Sequence, residues 1–305
     1  MADMAAIGSH QRVFRARQKL NEPGFISHIT QRAAGREPLF IEDDDFLRML
    51  SLLKESSDKY ALSFYAFCLM PNHIHMLIKP EERNLIEAMR SLFSRYAAQF
   101  NRKYARRGHL FGGPYRQAVC LDSTYLLTAS VYIHLNPVRA GLADRAQDYR
   151  WSSCRLYTGN VARESFVDTS TLFELLNEDP GEAKGYYSRI LNGACGAEPE
   201  NALEQEGAIE SFCHRLAGLF PDLFRRARGK NGDFPAGGQE MMELTDLDSM
   251  IQHYRENASR SPESRKARAY LIDQLRARGY TQSEIALRLG VSRKTVYSTL
   301  KAGRT

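Results

Sequence analysis

The sequence predicts an α+β fold: an antiparallel sheet with helices packed on one face, followed by an all-α C-terminal region. Three observations lead there. Leu62–Met70 and His73–Ile78 are strand-like apolar runs parted only by Pro71-Asn72, the mark of an antiparallel hairpin. Stretches with apolar residues at helical spacing alternate with such runs through the first half of the chain. From about residue 168 onward only helical patterns remain.

In chain order, residues 1–19 are polar and are expected to be loosely ordered. Phe25–Gln31 reads as a first strand, and Asp43–Ser56 as an amphipathic helix with Phe46, Leu50 and Leu53 inward. Leu85–Arg106 is a long helix, and the Gly-rich stretch from Gly108 to Pro114 is a loop entering a strand at Tyr115–Leu121. Asp122, Ser123 and Thr124 then offer capping oxygens to a helix whose apolar positions are Tyr125, Leu126, Leu127, Val131, Tyr132 and Leu135. Pro137 disfavours α geometry at Asn136, which puts that residue at the fraying end. Ser170–Asn177, Glu182–Leu191 and Ala208–Phe220 read as helices, with an acidic loop over Gly193–Gly207 and a linker over Arg225–Gly238. Helices are expected over Ser264–Arg278, Thr281–Leu289 and Arg293–Ala302. The division expected is 1–167, a helical connector and linker over 168–240, and a last domain over 241–305.

Composition narrows the class. A chain of 305 residues with 43% hydrophobic content can build two or three domains with real cores. No apolar run approaches the roughly 18 to 20 residues of a membrane span, so no membrane partner is expected. Met1-Ala2-Asp3-Met4-Ala5 lacks the basic start and apolar core of a secretory signal. The five cysteines (Cys68, Cys120, Cys154, Cys195 and Cys213) are widely spaced without a Cys-x-x-Cys pair, which speaks against a disulfide scaffold or zinc ribbon. A cytoplasmic setting is expected. The net charge of +6 is unevenly placed: residues 251–305 are strongly basic, and the rest is slightly acidic. A second basic run, Arg95, Arg102, Lys103, Arg106 and Arg107, is interleaved with Tyr96, Phe100 and Tyr104. It could grip phosphates while an aromatic stacks on a base, or it could be a solvated helix face with its aromatics in the core.

The chemistry concentrates in two short segments. In Met70-Pro71-Asn72-His73-Ile74-His75 the two histidines are two apart on a strand, so both project to one face, roughly 6–7 Å apart. Such a pair can share a divalent cation, although half-exposed histidines satisfied by water would look the same. Downstream, Tyr132 and Asn136 are four apart and lie one turn above each other on a helix. A phenol and an amide so placed could serve as nucleophile and third ligand, or simply pack. His28 could approach from the first strand but reads better as a structural histidine; His134 points away from Tyr132. Tyr125, nearly two turns before Tyr132, is a rival nucleophile that lacks an amide partner at the i+4 position.

Together these segments resemble the HUH-type single-strand DNA nucleases, and among them the single-tyrosine, REP-associated tyrosine transposases. The resemblance is carried by Phe67–His75, Tyr115-Arg116, Tyr132–Leu142 and Tyr149–Ser153, with Ile26–Arg32 fitting the family's first strand. It covers roughly residues 20–165 and implies a ferredoxin-like HUH nuclease domain. It also implies that His73, His75 and Asn136 hold Mg²⁺ or Mn²⁺, that Tyr132 is the catalytic nucleophile, and that single strands near hairpin sites are cleaved and rejoined through a 5′-phosphotyrosine. Related enzymes often carry Gln where Asn136 stands, and a shorter amide could alter the metal geometry. Arg116 beside Tyr115 could grip a phosphate. Trp151 is expected to pack rather than to stack on a base.

The C-terminal pattern resembles bacterial helix-turn-helix domains. Ile285, Ala286, Leu289, Val291, Val296 and Leu300 supply a small core, and Gly290-Val291-Ser292 supplies the turn. As a recognition helix, Arg293, Lys294, Thr295, Tyr297 and Ser298 could enter a major groove of duplex DNA; a helical bundle for oligomer contacts is the competing view. A monomer or a homodimer fits either. Two further functions stay open: a helix-turn-helix regulator with an inactive nuclease fold, and a hydrolytic metal nuclease.

Overall fold

The computed structural model describes residues 13–14, 19–21, 23–35, 37–120, 122–159, 165–195, 208–229, 244–259, 261–277 and 280–302. Most of the N-terminal segment, the acidic loop and the linker expected from sequence lie outside the described residues. A five-stranded sheet of order β1-β5-β2-β4-β3 is formed by β1 (Val13–Phe14), β2 (Ser27–Arg32), β3 (Leu62–Met70), β4 (His73–Pro80) and β5 (Arg116–Val119). The pairings are antiparallel throughout, as the hairpin pattern predicts.

Alternation along the strands sorts the side chains. Ile74, Met76 and Ile78 of β4 and Ile29 of β2 are fully buried on one face. That face carries α1 (Asp43–Tyr60) and α2 (Leu85–Lys103), which pack on each other. The opposite face carries the histidines beneath α3 (Ser123–Arg139). The 18-residue α1 starts with a reciprocal capping box between Glu42 and Asp45 and stops at Ala61 in the left-handed region. Trp151 stacks on Phe46 at 4.5 Å, the packing role expected of it.

Helix α3 differs from expectation at its end. It continues through Pro137 to Arg139 instead of fraying at Asn136. The turn beyond the proline is closed by the backbone N–H of Ala140, which donates to the Asn136 carbonyl, and by that of Leu142, which donates to the Pro137 carbonyl.

The segment read as a connector is part of the first core. Helices α4 (Cys154–Thr158), α5 (Ser170–Leu176), α6 (Pro180–Ala194), α7 (Ala208–Leu219) and α8 (Pro221–Gly229) follow α3. Leu172, Tyr187, Ile190, Phe212, Leu216 and Phe224 are buried in one continuous cluster with the sheet. Helix α8 also occupies the start of the stretch read as a linker. The cause is α3 itself: fifteen of its residues, Ser123 to Pro137, are buried, and a helix apolar all round needs cover on the side away from the sheet.

The C-terminal unit has its own core. Helices α9 (Leu244–Asn257), α10 (Pro262–Ala277), α11 (Gln282–Leu289) and α12 (Arg293–Ala302) bury Leu247, Ile251, Leu271, Leu275, Ile285, Leu289 and Val296. The last three match the sequence reading; α9 was not foreseen. Thr281 and Glu284 form a capping box for α11, and Gly290 (φ 66°) ends it in the left-handed conformation that favours glycine.

Candidate active site

The register of the sheet gathers the site. Thr30 pairs with His75 on one side and with Arg116 on the other, and Arg32 pairs with His73. Cross-strand partners share a face, so His28, Thr30, His73, His75 and Arg116 all lie on the side facing α3. The rings of His73 and His75 stand edge to face with centroids 4.8 Å apart. Tyr132 meets His75 edge-on at 5.9 Å.

Donor counting fixes the free nitrogens. His73 Nδ1 lies 2.7 Å from Asn72 Oδ1, which can only accept, so His73 carries its proton on Nδ1 and leaves the Nε2 lone pair available. His75 Nδ1 sits 3.0 Å from His28 Nε2 and 3.2 Å from the Thr30 hydroxyl. When His75 Nδ1 donates to His28, its Nε2 also becomes a free lone pair. His28 is therefore the partner that orients His75; its own Nε2 is engaged in that contact. The sequence reading took His28 as structural and did not single out Thr30, because only the strand register shows that both face His75. Burial keeps the rings neutral: His28 and His73 are pushed down to about 4, His73 further by Arg32, and His75 falls well below the ordinary range.

Asn136 is buried, and its Nδ2 donates to the Tyr132 carbonyl at 3.0 Å, leaving Oδ1 as an acceptor. An imidazole nitrogen and an amide oxygen are each uncharged groups of a kind that suits a divalent cation. Tyr132 is only 2% exposed. Arg139 stacks on its ring at 5.1 Å and Phe212 of α7 meets it edge-on at 6.3 Å, two contacts for which the sequence offered no signal. Tyr125 is also buried, at the first turn of α3, where its backbone N–H donates to Asp122.

His134 is buried away from the site in a bonded relay. Its Nε2 lies 2.8 Å from Ser153 Oγ, its Nδ1 lies 2.7 Å from Tyr187 Oη, and Tyr187 in turn donates to Ser130 at 3.1 Å. Ser153 also accepts from the Phe67 backbone, so the relay bolts α3 to β3 and to α6. Burial pushes His134 down to about 3. A histidine that is neutral when folded and ordinary when unfolded contributes stability in full above pH 6.5, and this contribution is lost as pH falls toward the folded value. Each such ring should remove about 1.4 kcal/mol per pH unit below 6.5. The urea midpoint should accordingly drop between pH 7 and pH 5; a flat profile would contradict neutral burial of His28, His73, His75 and His134.

The basic candidates separate. Lys103 is ion-paired with Glu42 and, at 2.7 Å, with Asp45 at the start of α1, and Arg106 is ion-paired with Glu37. Tyr96 and Phe100 are in the core, so the base-stacking reading of this run fails for them; α2 turns its aromatic stripe to the sheet. Arg102 and Arg107 are exposed. In α12, Arg293, Lys294 and Tyr297 are exposed, whereas Thr295 is half-buried and takes part in the N-cap with Ser292 at 2.8 Å.

Residues 23–136 match the family model of IS200-like transposases, and residues 262–302 match that of homeodomain-like domains. No curated protein matches the chain. A solved structure of a REP-associated tyrosine transposase bound to a REP hairpin aligns at 15% identity over 50% of this chain and 95% of its own, with a TM-score of 0.40. Among the described residues, no helix is long and apolar enough to cross a membrane. The chain is therefore similar to IS200-like transposases over residues 23–136 and to homeodomain-like domains over residues 262–302.

Proposed function

We propose that the N-terminal unit cleaves and rejoins single-stranded DNA near hairpin sites, with Tyr132 as nucleophile and His73, His75 and Asn136 as the ligands of Mg²⁺ or Mn²⁺. The observation that carries this reading is the Tyr132 ring set against His75 beside His73. A divalent cation held there would neutralise charge building on the scissile phosphate. Tyr132 Oη forms a bond to phosphorus while the bond to the 3′-oxygen breaks; that oxygen leaves with the electron pair and takes up a proton. The 5′ side remains as a phosphotyrosine, so a returning 3′-hydroxyl can restore the strand and release Tyr132 without a nucleotide cofactor. His28 and Thr30 hold His75 in orientation, and Arg116 on the same face suits a backbone phosphate.

The catalytic unit on this reading runs to about residue 229, because α5 to α8 share its core. The test is a denaturing gel of protein with hairpin-bearing single strands and Mn²⁺. A covalent adduct that disappears in Tyr132→Phe supports the reading. Cleavage without adduct would mean a hydrolytic nuclease, and duplex binding without cleavage would mean a regulator.

We further propose that α12 reads duplex DNA through Arg293, Lys294 and Tyr297, with Thr295 at its N-terminal edge. Arg293→Ala with Lys294→Ala should weaken affinity for long DNA and flatten its salt dependence, with cleavage of a short oligonucleotide unchanged. Unaltered affinity would leave oligomer assembly as the role of this unit.

A further inference from the structure

A cavity of about 860 Å³ opens on the face of the sheet away from the histidines, between α2, the Gly-rich loop 108–115 and the end of β2. Its size is that of a ligand pocket. Three aromatic rings line it: Phe93 lies 5.2 Å from Phe111 and 6.3 Å from Tyr115. Among the described residues, two polar groups of side chains that line it find no hydrogen-bond partner and are buried, the Tyr115 hydroxyl and the Lys19 ammonium. Tyr115 is 8% exposed, and Lys19 lies 4.8 Å over its ring. Buried donors left unpaired are costly, so this pair is built to meet acceptors from outside the chain. Burial and the nearby Arg116 charge lower Lys19 to about 8. Arg90 and His109 also line the cavity, and among the described residues no carboxylate does.

Aromatic walls, unpaired donors and an anion-favouring field together describe a nucleotide. The cavity is also tied to the site. The Gln31 amide donates to the Gly113 carbonyl at 3.1 Å, and the Gly112 N–H donates to the carbonyl of Arg32, the register partner of His73. Gly112 is required there, since a Cβ would come within 2.9 Å of the Ala33 carbonyl oxygen. Arg116, next to Tyr115, is placed on the histidine face, so a strand passing over this end of the sheet meets both.

We propose that the cavity takes one unpaired nucleotide of the DNA strand, its base among Phe93, Phe111 and Tyr115 and its acceptors on Tyr115 Oη and Lys19 Nζ. This rests on the single-strand reading above, but it concerns binding rather than chemistry. The test therefore uses the full chain in EDTA, where affinity for the hairpin-bearing strand is read by fluorescence anisotropy. An abasic site is walked along the unpaired nucleotides beside the hairpin. One position should weaken wild-type binding roughly tenfold, in line with loss of one stacked base. Tyr115→Phe, which removes only an unpartnered hydroxyl, should weaken binding of the intact strand severalfold, keep the thermal midpoint, and add little to the abasic defect at that one position. Lys19→Met should behave alike. Equal losses for intact and abasic strands at every position would overturn the pocket, as would wild-type affinity in both variants. Saturable binding of free deoxynucleoside monophosphates that the strand does not displace would also overturn it. Because no cleavage is scored, failure of the tyrosine mechanism would leave these outcomes readable.

Discussion

His73→Ala is expected to abolish strand cleavage while leaving the unfolding midpoint within the small range typical of surface substitutions, about 0.5 kcal/mol. His73 is half-buried at the start of β4, and its ring is hydrogen-bonded to neighbouring Asn72. His75→Ala should abolish cleavage too, but not cleanly. That ring is 1% exposed and completes the contacts of His28 and Thr30, so its removal leaves a buried nitrogen unpaired, at about 1–3 kcal/mol. The two histidines thus differ in their weight for folding, since His75 is buried and His73 only partly so. Cleavage and urea unfolding of each variant check this, and full cleavage by His73→Ala would sink the metal assignment. Asn136→Ala should be milder for metal dependence, because water can replace one amide ligand, although its bond to the Tyr132 carbonyl is also lost.

A chain ending at Phe166 is expected not to fold, whereas one ending at Gly229 should fold and cleave a supplied strand. From sequence, residues 1–165 hold every proposed catalytic group, and the shorter chain would be expected to suffice. In the structure that cut strips α5 to α8 from α3. It exposes the back of Tyr132 where Phe212 lies, and it removes Tyr187 from His134. Large apolar side chains such as Leu172, Ile190, Phe212 and Phe224 contribute about 1.5–3 kcal/mol each, so losing these four removes an amount comparable to the whole stability of a domain, about 5–15 kcal/mol. Circular dichroism and cooperative urea unfolding of both chains decide it. A cooperatively folded, active 1–166 fragment would show that α5 to α8 are an appendage after all.

The local rules of the chain were sufficient for most of the elements and for which chemical groups share a face. Period-two alternation alone puts His73 and His75 on one face, the i+4 interval stacks Tyr132 on Asn136, and the Thr281 capping box and Gly290 bound a helix of the C-terminal unit. Each of these depends on neighbours a few residues away, which a sequence displays directly. Long-range packing decided what remained. That His28 and Thr30 buttress His75 depends on the register of β2 against β4. That Lys103 is tied to Asp45 depends on how α2 lies along α1, and that Arg106 is tied to Glu37 depends on where the segments after α2 and before α1 meet. That the weakly patterned helices after residue 168 are core depends on α3 being apolar all round, a surplus that the sequence shows but whose cover it does not name.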